Sequence, residues 1–268
     1  MNQNILPLVG AGFRESSSIV FRLREKIYDK YFWSKEDMQE AEKGLELLKK
    51  IFQKNPPGEL QEYFGSAFSP ENIRRFKRGF HTKSIKFQTN NQTKTWVLKI
   101  GHRISPVIDL GDPSDYSYFI EYSNDLKLLQ EYCKKNKKLQ EFIPQPQQCF
   151  WMGEKRKKGK ILILQPFVQI SPLEKTLKKL PASEKKQLQE ELQEIQKLQK
   201  LLMQKHKKQF DFLGEDNLVL INHNEQYHFG LLDLGLINLT KPLPLTQLVM
   251  QIAYDMVITR IQALLAQS

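Results

Sequence analysis

The chain has 268 residues, 40% of them hydrophobic, enough to bury a substantial core, so a globular protein is expected rather than a disordered one. Its 41 Lys and Arg against 30 Asp and Glu give a formal charge of +11, which favours an anionic partner: nucleotide, phosphorylated substrate, nucleic acid or acidic lipid. Cys133 and Cys149 offer neither a disulfide framework nor paired Cys/His spacing for zinc, and Met1 to Pro7 lacks the basic start and apolar run of a secretory signal, so a cytoplasmic location is expected.

Residues 1–65 read as an N-terminal helical extension. Ile19 to Tyr31 is one periodic run, and Ser34 followed by Glu36 and Asp37 caps a second that runs through Phe52. Asn55-Pro56-Pro57-Gly58 ends it. Gly10-Ala11-Gly12 lacks the Gly-Lys-Ser/Thr continuation or third spaced glycine of a phosphate loop, and reads as a turn.

Residues 66–170 are strand-rich. Arg74, Arg75, Lys77 and Arg78 form a basic edge before Gly79, where the backbone can turn tightly beside a phosphate. Asn90-Asn91-Gln92 between Ile85-Lys86-Phe87 and Trp96-Val97-Leu98 signals a hairpin, as does Lys155 to Gly159 between Phe150-Trp151-Met152 and Ile161-Leu162-Ile163. Between the hairpins, Tyr116 to Lys135 reads as a helix with Glu121 and Asp125 one turn apart on one face. Ile143-Pro144-Gln145-Pro146 closes that helical region, and Lys160 to Val168, with Gln165 and Phe167, is a buried strand running into an extended connector. The expectation is an antiparallel sheet with one inserted helix.

Residues 171–268 open on an amphipathic helix over 183–207, capped by Ser183 and carrying Leu188, Leu192, Ile195, Leu198, Leu201 and Leu202 on one stripe. An acidic loop from Phe210 to Asn217 then runs into the strand Leu218 to Leu220. A further strand, Phe229 to Leu232, ends in Asp233-Leu234-Gly235. A strand ending in Asp-x-Gly aims a carboxylate out of the sheet edge while the glycine turns the backbone aside, and with the loop's Asp and Asn it makes a hard-oxygen set suited to Mg²⁺. Leu245 to Leu265 is apolar at helical spacing but interrupted by Gln251, Asp255, Arg260 and Gln262, so a packed helix is expected and not a membrane span. His102, His206, His223 and His228 show no metal spacing, and without interleaved aromatics a nucleic-acid partner rests on charge alone.

Strand with Lys99 in Val97-Leu98-Lys99, helix with acid, strand and connector, long helix, Asp/Asn loop, strand and Asp-x-Gly: this order over residues 76–240 resembles the protein kinase-like fold, which includes the aminoglycoside phosphotransferases. The resemblance implies an α+β, bilobal protein with an antiparallel-sheet small lobe (66–170) and a reduced helical large lobe (171–268). It implies ATP and Mg²⁺ as cofactors, with Lys99 on the α/β-phosphates, Glu121 or Asp125 holding Lys99, Gly79 at the phosphate turn, and Gln165 and Phe167 in the hinge beside adenine. Asn217 and Asp233 would hold the metal, and Asp211 would be the catalytic base toward an acceptor hydroxyl on a small molecule or protein.

The chain departs from the family at three points. Gln209-Phe210-Asp211 replaces His-Arg-Asp, Asn217 lies six residues after Asp211 where the family has five, and one glycine stands where the phosphate loop has three. A catalytically inactive pseudokinase scaffold is therefore the alternative to an active phosphotransferase, with a basic nucleic-acid-binding module behind both.

Overall fold

The computed structural model describes residues 35–54, 60, 70–78, 82–89, 94–101, 114–154, 156–212, 217–223, 225–232, 236–240 and 244–267. The periodic run Ile19 to Tyr31 and the Gly10–Gly12 turn lie outside them. The chain divides into two compact units, Met1–Lys43 and Gly44–Ser268, whereas the sequence reading set its boundary near residue 65. Helix α1 (Lys35–Lys54) contributes to both ranges, and everything that follows belongs to the second unit.

The main sheet is centred on apolar runs buried on both faces. Strands β1 (Pro70–Arg78), β2 (Thr82–Thr89), β3 (Thr95–Gly101), β4 (Gln148–Met152) and β5 (Lys160–Pro166) are arranged β1-β2-β3-β5-β4, every neighbouring pair antiparallel. Register sets Phe87 opposite Trp96 and Ile85 opposite Leu98, and Leu98 opposite Leu164. Because successive side chains point to opposite faces, these residues share one face and Ser84, Lys86, Val97, Lys99, Ile163 and Gln165 share the other.

The first face is covered by the second half of α1. Leu48 and Phe52 are buried there, Phe52 meets Phe150 edge-on at 6.0 Å, and Gly44 faces Leu98 and Leu162. Each large side chain so buried stabilises the unit by roughly 1.5–3 kcal/mol. The cover fixes the direction of Lys99: it projects from the opposite face.

Helix α2 (Tyr116–Lys135) follows the sequence expectation residue for residue. Asp115 caps it by accepting from the Ser117 N–H at 2.9 Å, and Tyr122, Leu126, Leu129 and Cys133 form its buried stripe. Beyond the edge strand β6 (Ile170–Ser171), the core beneath continues through α3 (Leu173–Leu177), α4 (Ala182–Leu201), β7 (Lys208–Phe210), β8 (Leu218–His223), β9 (Gln226–Leu231), β10 (Leu236–Asn238) and α5 (Pro244–Ala266). A small sheet β6-β8-β9 and the pair β7-β10 complete the mixed α+β architecture.

Ser183 is not the cap expected of it. Helix α4 already begins at Ala182, behind Pro181, whose ring presets a backbone angle suited to helix entry, so Ser183 lies within the first turn. The helix ends in a π turn, Leu202–His206, closed by Lys207 in the left-handed region at φ 54°. Among the described residues no helix is long and apolar enough to cross a membrane.

Two glycines make opposite predictions. A β-carbon at Gly44 would meet Leu98 and Leu162 side chains at 3.4 Å, ordinary contact, so Gly44→Ala should stabilise the protein by about 0.5–1 kcal/mol through helix propensity. At Gly230 it would fall 2.1 Å and 2.6 Å from Ile221 Cδ1 and Cγ1, so Gly230→Ala should cost about 1–3 kcal/mol. Urea unfolding of the three proteins checks both signs.

Candidate functional site

Lys99 leaves β3 on the face opposite α1 and is only 9% exposed. A buried ammonium needs acceptors, and its Nζ donates to the Leu232 carbonyl at 2.5 Å. The Leu232 N–H donates to the Asn217 carbonyl at 3.1 Å, and Asn217 Nδ2 donates to the Asp211 carbonyl at 2.7 Å. An unbroken chain of hydrogen bonds thus joins Lys99, Leu232, Asn217 and Asp211. Asp233, bonded covalently to Leu232, lies outside the described residues, as does Gly79.

Both flanks of Asp211 are fastened. β7 ends at Phe210 and pairs antiparallel with β10, Phe210 opposite Leu236, and the Phe210 N–H donates to Gln199 Oε1 at 2.9 Å. Phe210 stacks on Phe212 with centroids 5.5 Å apart, and Phe212 stacks on Tyr254 at 5.3 Å. Both phenyl rings are buried, while Asp211 between them stays half-buried.

At Asn217 one amide N–H goes to the Asp211 carbonyl, which turns Oδ1 to the other side of the carboxamide. A carboxamide held this way has its hard oxygen left for a cation, so Asn217 fits a Mg²⁺ ligand. Among the described residues no cluster of three His, Cys, Asp or Glu is placed to hold a metal by itself.

Helix α2 brings Glu121 and Asp125 onto one face, as their spacing predicts. The resemblance gives one of them, Glu121 or Asp125, to Lys99; both also pair with Lys208 on β7, at 3.1 Å from Glu121 Oε1 and 2.5 Å from Asp125 Oδ1. Asn238, opposite Lys208 in the β7-β10 ladder, also donates to Glu121 Oε1 at 3.0 Å. Asp125 is buried, and that burial pushes its carboxyl above the usual range against the opposing effect of Lys208.

Gln165 and Phe167 sit at the other end of the same sheet face. Gln165 is paired with Val97 and buried, its Oε1 without a donor among the described residues. Phe167 continues the ladder by donating its N–H to the Thr95 carbonyl at 2.9 Å, and the Lys86 ammonium lies 3.4 Å from its ring centroid.

Sequence reasoning passed over Lys208, Asn238 and Lys86. Lys208 stands among Lys205 and Lys207, a pattern of a solvated surface, and only the pairing of β7 with β10 distinguishes it. It also passed over Glu191 on α4, buried among its neighbours, which accepts from the Phe229 N–H at 3.0 Å and lies 2.8 Å from His228 Nδ1. That carboxylate ties α4 to β9, the strand leading to Leu232.

No protein-family model matches this chain, and no curated protein matches it.

Lys208→Met should destabilise the protein by roughly 3 kcal/mol, because it leaves Asp125 buried without its cation. An unfolding free energy equal to wild type would show the acids to be solvated. The hydrogen bond to Glu191, with added field from Glu141, raises the His228 pKa above 6.5. A raised folded pKa means that the stabilisation is complete below pH 6.5 and is lost as pH rises through the folded value. His228→Gln should abolish that decline in a series of denaturant titrations across pH 5–9.

Proposed function

We propose that the chain is a kinase-like protein that binds ATP·Mg²⁺ between a sheet-rich small lobe and a reduced helical large lobe, and transfers phosphate to a hydroxyl acceptor. The observation that carries this reading is the hydrogen-bond chain from Lys99 through Leu232 and Asn217 to Asp211. It gathers at one place a buried cation, a carboxamide oxygen, a carboxylate residue and the residue immediately before Asp233.

Lys99 directs a donor to the Leu232 carbonyl, which aims the ammonium, and the group would pair phosphate oxygens when nucleotide binds. Asn217 and Asp233 would hold the metal, which neutralises phosphate charge during transfer. Asp211 would orient the acceptor hydroxyl and take its proton, on a backbone held by the Phe210–Phe212 stack and the Asn217 bond. A small molecule or a protein serves equally as acceptor on this chemistry.

The pseudokinase scaffold is the second reading. Lys208 pairs with both Glu121 and Asp125, so the acids that the resemblance offers to Lys99 also serve to fasten helix α2 to β7.

A thermal-shift titration separates these readings. ATP with Mg²⁺ at about a hundredfold its dissociation constant should stabilise the protein by roughly 2.7 kcal/mol, and Lys99→Met should remove most of that shift. Asp211→Asn should retain nucleotide affinity and lower turnover about 10²–10⁴-fold. Equal turnover in wild type and Asp211→Asn would reject the base, binding without turnover in either would assign the scaffold, and no shift with ATP would reject ATP as the ligand.

A further inference from the structure

The proposed site places phosphates at the Lys99 end of the sheet face, which leaves the nucleotide's base for the other end. Register there aligns Lys86, Val97 and Gln165 in one row across β2, β3 and β5. Neighbouring strands lie about 4.8 Å apart, so a flat base resting on Val97 has the Lys86 side chain along one edge and Gln165 along another. The Lys86 ammonium already crosses β3 to reach the Phe167 ring, 3.4 Å from its centroid. An incoming base must therefore move Lys86 off that ring, and the ammonium then stands at the base's edge.

We infer that this row reads the base and takes guanine nucleotides in preference to adenine nucleotides, with Lys86 as the discriminating residue. The inference rests on the nucleotide reading and goes beyond it to the choice of base. Lysine presents three donors and no acceptor. Guanine sets the acceptors O6 and N7 side by side, where an ammonium serves both; adenine sets an amino donor beside N7, and donor meets donor.

Gln165 completes the arrangement without deciding it. Its buried Oε1 has no donor among the described residues, and guanine's adjoining edge carries an N–H and an amino group able to fill it. A carboxamide can turn its nitrogen instead, so Gln165 accommodates either base. Selection thus falls to Lys86. Its departure exposes Phe167, whose ring then packs against the base in place of the cation.

The test is calorimetric titration of the full chain with GTP and with ATP, each with Mg²⁺. Wild type should bind GTP about tenfold more tightly than ATP, the order of discrimination of one such edge contact. Lys86→Met should bring the two affinities together, Lys86→Arg should keep them apart, and Lys99→Met should weaken both alike. ATP binding as tightly as GTP, or an undiminished preference in Lys86→Met, overturns the base assignment while leaving the nucleotide site standing. If neither nucleotide binds, the nucleotide reading fails and the base assignment falls with it.

Discussion

A lysine ammonium buried in a sheet cannot be left without an acceptor, and much of this unit's organisation follows from that requirement at Lys99. An unpaired charge in such a place costs several kcal/mol, more than most single packing contacts return. One acceptor is the carbonyl of Leu232, just beyond β9, a strand of a different sheet. That carbonyl is available only because β9 is itself fixed: Leu231 donates to the Phe142 carbonyl at 2.6 Å and Leu232 to that of Asn217. The five-stranded sheet and the β8-β9 hairpin are consequently held at the spacing of one side chain, with Asp211 and Asn217 beside the junction.

A second lysine answers the opposite requirement. Asp125 is buried on α2, and Lys208 supplies its cation while also meeting Glu121. Helix α2 therefore has an apolar stripe in the core and an acidic face fastened to β7 and β10. Because β7 runs directly into Asp211, the position of the helix and that of the candidate base are linked through the two ion pairs of Lys208. Lys99 and Lys208 do separate work: the first joins the sheet to the β9 end, the second joins the helix to the β7 end.

Elements whose instructions are local were legible in the sequence. Helix α2 begins after a side-chain cap at Asp115 and has a periodic stripe, and the β2-β3 and β4-β5 hairpins alternate around turn signals. Strand β1 was not legible as a strand, because Pro70–Arg78 is dominated by charge and shows no alternation. β7 and β10 have three residues each, too few for any period, yet they position Lys208 and Asn238. The residues around Lys99 could be picked out by type and order, but the partner of each depends on strand register. That register also gives Lys86 a meaning its neighbours in sequence do not.

The six-residue interval between Asp211 and Asn217 shows how register outranks counting. Asn217 reaches the backbone carbonyl of Asp211, and a backbone acceptor is present whatever side chains lie between. One end of the loop is set by the Phe210–Phe212 stack on Tyr254, the other by β8 and the bond from Leu232. Each end is anchored independently, so one added residue between them need not displace either. The six-residue interval is thus by itself a weak argument against the proposed phosphate transfer.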